Sequence, residues 1–230
     1  SNPPAPTTSS MPFLELYKLV PSAVVGTTFA SFVQGGMSSM AIVFAIEAGM
    51  STGKATIFVS AGLTGAALLQ IPLGRLSDRY PRRIIILFCV FISASIAVIQ
   101  SLLSNSNDLH IFLNLLFGAF VFPLYGLFAA LANDWIPSEK RISASSTLVL
   151  ASSSGAVVAP IAIGFLLGNF APSSYFLANA SVLIFVGIYI SYRTRVREAV
   201  PVDKPSPFIP LVARYGQIAD SSERWSRNPL

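Results

Sequence analysis

The chain has 230 residues, of which 53% are hydrophobic and 11% charged, with a mean hydropathy of +0.66. A soluble domain carries about a quarter charged residues, so this composition excludes a single water-soluble core. The net charge of +5 does not indicate a nucleic-acid binder, because the cations sit in short breaks between long apolar runs. The single cysteine, Cys89, lies inside such a run, which excludes an internal disulfide framework and a cysteine zinc site.

Ser1–Pro12 is polar and Pro-rich. It has no positive n-region followed by a short apolar h-region, so it is not a signal peptide. It reads as a linker from inside a longer chain, with a start at Met11 as the alternative. Residues 13–193 then form a membrane domain of six apolar segments, each long enough for the roughly 20 residues that a crossing needs. The first spans about Phe13–Ile46 and is longer than one crossing, so Leu14–Lys18 are expected at the interface before Pro21. The second is Thr52–Leu76 and the third Ile84–Leu103. The fourth is Leu109–Ala132, the fifth Ser138–Leu167 and the sixth Ser174–Tyr192. Residues 194–230, with Pro201, Pro205, Pro207 and Pro210, read as a flexible tail.

The breaks have local causes. Gly49, Ser51 and Gly53 end the first segment, and Pro81 with its flanking charges ends the second. Asn105, Ser106, Asn107 and Asp108 offer side-chain acceptors for a turn. Pro137 and Ser138 open the fifth segment; Asn169, Ala171 and Pro172 close it. The runs are too long for strands and lack period-two alternation. The fold class is therefore all-α, a polytopic membrane protein with six transmembrane helices.

With six crossings, every one of the 15 Lys and Arg residues except Lys54 falls on one side. Lys and Arg in short loops mark the cytoplasmic side, so both ends of the chain are expected there. Glycine is spread unevenly. The third segment has none and the sixth only Gly187, whereas the other four carry Gly26, Gly35, Gly36, Gly62, Gly65, Gly118, Gly126, Gly155 and Gly164. Small residues let helices approach closely in lipid. The third and sixth helices are thus expected to face lipid, and the others protein or a cavity. The same order occurs twice, as a three-plus-three inverted repeat would leave it.

Between the second and third segments stands Gly74-Arg75-Leu76-Ser77-Asp78-Arg79-Tyr80-Pro81-Arg82-Arg83. It resembles the loop signature of the major facilitator superfamily, in which a glycine is followed four residues later by an aspartate and then by arginines. Pro81 departs from the glycine usual at that place, and proline cannot adopt φ > 0. Phe122-Pro123-Leu124-Tyr125, Ala132-Asn133-Asp134 and Ser143-Ala144-Ser145-Ser146 look like the C-terminal half of a YcaD-like bacterial branch. The resemblance implies one six-helix half of a twelve-helix secondary transporter in a bacterial inner membrane, moving a small-molecule solute by alternating access. Its N-terminal six-helix half would be the partner, and the lipid bilayer the surroundings. It also implies that Gly74, Asp78, Arg79, Arg82 and Arg83 form a cytoplasmic gating motif. The alternatives are a homodimer of six-helix units, or a scaffold or sensor that does not transport.

The resemblance further implies that the first and fourth helices line a central cavity. The candidates are Gln34 and Ser38 on the first, Asn114 and Tyr125 on the fourth, and Gln70 before Pro72. Gln34 carries an amide in hydrocarbon and must find an interhelical partner or water. Asn179 is expected to bond a neighbouring helix. No carboxylate lies near a helix midplane; Glu47, Asp108 and Asp134 are near helix ends. His110, the only histidine, is expected as an interfacial side chain. An intramembrane protease needs a Ser-His pair or paired aspartates, and a zinc enzyme needs clustered ligands. An ATPase needs a Walker loop. None is present, so no enzyme activity, cofactor or metal is expected.

Overall fold

The computed structural model describes residues 11–103, 107–137 and 140–196. The helices are α1 (Phe13–Leu19), α2 (Pro21–Glu47), α3 (Thr52–Arg79), α4 (Arg82–Leu102), α5 (Asn107–Trp135), α6 (Arg141–Asn169) and α7 (Ser174–Val196). Six of them, α2 to α7, are long and apolar enough to cross a membrane. Apart from the start of the first, which falls at Pro21 and not at Phe13, they match the six segments of the sequence within a few residues. Asn105, Ser106, Ser138 and the tail from residue 197 on lie outside the described residues.

The first segment is two helices. Val20 leaves helical geometry at φ −138°, ψ 63°, as a residue before proline tends to do. Pro21 then occupies the first turn of α2, where its missing N–H costs nothing. At the other end of α2, Gly49 takes φ 81°, a left-handed turn that glycine adopts without strain. Ser51 caps α3 by accepting from the Lys54 N–H at 3.4 Å, so Gly53 falls inside α3 instead of in the loop.

Packing follows the glycines. α3 lies against α5: a Cβ on Gly65 would collide with the backbone of Leu115 and Ala119, and one on Gly118 with that of Gly62. α2 lies against α6: a Cβ on Gly155 would collide with the backbone of Thr28 and Phe32, and one on Gly35 with that of Ala156. The Thr28 hydroxyl donates across this second pair to the Ala151 carbonyl at 3.2 Å. Behind them α4 packs on α7. Exchanging the first three spans with the last three maps α3–α5 onto α6–α2 and α4–α7 onto itself. Gly65 and Gly155 take equivalent places, each over two residues four apart. This residue-level trace of the repeat is invisible in the linear sequence.

The glycine-poor helices do not simply face lipid. Each buries one side and exposes the other. α4 buries Ile86, Cys89, Val90 and Ala97 and exposes Ile84, Phe88, Phe91 and Ile99. α5 is the central helix: past Phe112 none of its residues is exposed.

Candidate functional site

At the end of the bundle where most arginines lie, α3 finishes with Gly74 and Ser77 buried, and the Ser77 hydroxyl donates to the Gly74 carbonyl at 2.7 Å. Tyr80 and Pro81 are extended (Pro81 φ −53°, ψ 115°), and α4 starts at Arg82. The chain thus turns without any positive φ, and proline fits where the resembling family has glycine.

The break folds Arg82 back onto the preceding helix. Its Nη2 donates to Asp78 Oδ1 at 3.0 Å, and its Nε lies 3.3 Å from Asp134 Oδ2 at the end of α5. The Arg82 side chain is 4% exposed, Asp134 7% and Asp78 32%. One guanidinium is therefore held between carboxylates from α3 and α5, on the protein side of a helix break. A cation this deep is tolerated only when it is paired and hydrogen-bonded. Arg83 is also buried, whereas Arg75 and Arg79 are exposed.

The structure therefore gathers Asp78 and Arg82, with Gly74 supporting the turn, and leaves Arg79 outside the network. It adds Asp134, which sequence reading treated only as a helix-end acid. A sequence signal for it existed: Asp134 closes the Ala132-Asn133-Asp134 run, at the end of an apolar helix that has no charge on its buried stretch.

The cavity candidates divide. Gln34 is half-buried, and its amide nitrogen donates to the carbonyls of Val121 and Phe122, both at 3.1 Å. It thus ties α2 to α5 beside Pro123. Asn114 is fully buried and donates to the Phe58 carbonyl at 2.8 Å, tying α5 to α3. Tyr125 is buried as well. Both lie inside the six-helix bundle instead of on an open face, because α2, α3 and α4 pack against α5 there. Ser38 is exposed on α2, and Gln70 is half-buried on α3. Asn179 donates to the Tyr175 carbonyl of its own helix at 2.9 Å, not to a neighbour.

At the opposite end, His110 is 5% exposed, not interfacial. It stacks on Phe176, meets Phe44 edge-on and approaches Gln100 Oε1 at 3.4 Å. Lys54 pairs there with Asp108 at 2.8 Å, both at the surface.

The sequence model of the family described as Major Facilitator Superfamily matches residues 24–226. An uncharacterized MFS-type transporter of Enterobacter sp. (strain 638), Ent638_1421, is 26% identical over 146 residues, 64% of this chain and 36% of that protein. The uncharacterized MFS-type transporter YcaD of Escherichia coli O17:K52:H18 (strain UMN026 / ExPEC) is 25% identical over 163 residues, 69% of this chain and 41% of that protein. The chain thus spans well under half the length of these relatives. Among solved structures, an auto-inhibited peptide transporter of the POT family superposes with a TM-score of 0.68 at 17% identity, covering 83% of this chain and 40% of that one. The POT family transporter PepTSo also gives 0.68, at 15% identity over the same shares. These two show the fold.

Proposed function

We propose that this chain, which belongs to the major facilitator superfamily, is one six-helix half of a secondary active transporter that moves a small solute by alternating access. The observation that carries the reading is the bundle itself. Its six spans pair in a pseudo-symmetric way, and the two POT transporters contain the same arrangement in well under half of their own chains. A second six-helix unit is the natural partner, the N-terminal half of the same transporter. The lysine and arginine distribution supports a bacterial inner-membrane placement with the Arg82 end in the cytoplasm.

In this reading Gly74, Asp78, Arg79, Arg82 and Arg83 form the cytoplasmic gate. Asp78 is the more exposed of the two carboxylates that Arg82 meets. It is the one able to exchange Arg82 for a contact across the interface, such as the N-terminus of a helix in the other half. Asp134 keeps Arg82 in place whichever way Asp78 points, and Arg79 faces the interface. Ser38 and Gln70 line the solute path, while Gln34, Asn114 and Tyr125 hold the helices that form its wall. Asp78→Asn in the full-length protein is expected to lower transport with normal membrane insertion. The assay is uptake of candidate solutes into vesicles with and without a proton gradient. Unchanged uptake in the variant would remove the gating role.

A further inference from the structure

The short helix α1 is bolted to the bundle by one face and bare on the other. Leu16 is fully buried, together with Met11 and Val20, against Ala132, Ala144 and Leu148. The Met11 carbonyl accepts from the Thr147 hydroxyl at 2.6 Å, and Glu15 pairs with Lys140 at 3.0 Å. The opposite face exposes Phe13 at 54% and Leu14 at 61%.

That bare face continues onto α7 through a run of rings. Phe13 stacks on Tyr17 with centroids 6.5 Å apart, and the Tyr17 phenol lies beside that of Tyr189. Tyr189 stacks on Phe185 at 6.4 Å. Beside them α7 exposes Ile188 and Tyr192. Ile188 and Tyr192 lie on the outward side of this membrane-spanning helix, whose inward side packs on α4 and α2; Phe185, midway along it, also meets Phe29 of α2 edge-on at 5.1 Å. Lys18 and Arg193 stand beside the middle of the run, next to Tyr17 and Tyr189, one in the last turn of each helix. Aromatic rings with polar tips, flanked by lysine or arginine, suit the boundary between hydrocarbon and headgroups. A surface facing water would gain nothing from so many bare rings.

We propose that α1 and the last turns of α7 form one aromatic girdle seated in the headgroup layer of the bilayer, with the lipid surface as its partner. α1 then lies on the membrane as an amphipathic anchor. Through Thr147 and Lys140 it holds the start of α6 at a fixed depth.

The test uses the full-length protein, with its native tryptophans changed to phenylalanine, in vesicles of phosphatidylcholine and phosphatidylglycerol. Phe13→Trp is the probe. Leu14→Trp is the second, since Leu14 makes no ring contact and the change is easily accommodated. The expected result is at least twofold stronger quenching by a headgroup nitroxide than by one near the acyl-chain end. Quenching by aqueous iodide should be at least threefold weaker than in the unfolded protein. Two results overturn the proposal: free access of iodide in vesicles, which puts the face in water, or protection from both lipid and aqueous quenchers, which puts it against protein. Neither readout involves transport, so failure here leaves the transporter reading intact.

Discussion

Replacing Asp134 with asparagine removes the more deeply buried of the two carboxylates around Arg82. The guanidinium stays 4% exposed and keeps Asp78, but that carboxylate is 32% exposed and its contact is partly screened by solvent. Breaking a buried pair by removing one partner costs about 3–5 kcal/mol. The remaining Asp78 contact and the retained amide dipole place the expected loss at the low end, about 3 kcal/mol. At 1.4 kcal/mol per factor of ten, that is about a 100-fold shift of the unfolding equilibrium. Asp78→Asn removes the half-screened partner and is expected to cost about 1 kcal/mol. Equilibrium unfolding in bicelles, followed by a steric-trapping or denaturant assay, measures both. A destabilisation by Asp134→Asn that is below about 0.5 kcal/mol, or smaller than that of Asp78→Asn, would refute the assignment of Asp134 as the anchor of Arg82.

Ala at Gly65 or Gly155 drives a methyl into the backbone of the facing helix, and thermal melts are expected to show a loss of about 1–3 kcal/mol for each. Gly168 has open space around its Cβ position, so Gly168→Ala serves as the control and should be neutral or slightly stabilising by helix propensity. Gln34→Leu deletes the bonds to the Val121 and Phe122 carbonyls, at a cost of about 1 kcal/mol in the same assay. Lys140→Ala, which breaks an exposed pair with Glu15, should change stability by less than about 0.5 kcal/mol.

Much of the fold was legible because a bilayer imposes length and composition on each span. The segment ends at Leu102, Asn107 and Asn169 follow from polar and proline breaks. Pairing was less legible. Glycine content marked four helices as close packers, but not which glycine meets which backbone. That depends on rotation about each helix axis, and nearly uniform hydrophobicity leaves the axis unmarked. The same limit hid the burial of Asn114, Tyr125 and His110, since a polar residue on an apolar helix can face a cavity or a neighbour with the same local sequence. The Asp78–Arg82 contact was accessible because only Pro81 and two further residues separate its partners. The Asp134 contact joins distant segments, and no periodicity points to it.

The most direct test of alternating access is the exposure of Ser38, which lies on the uncovered face of α2. In the full-length protein, with Cys89 replaced by serine, Ser38→Cys is reacted with a membrane-impermeant maleimide in right-side-out and in inside-out vesicles. A solute path opened alternately to each side predicts labelling from both faces, with Asp78→Asn raising the rate from the Arg82 end. Labelling from neither face, or from one face regardless of Asp78, would contradict it.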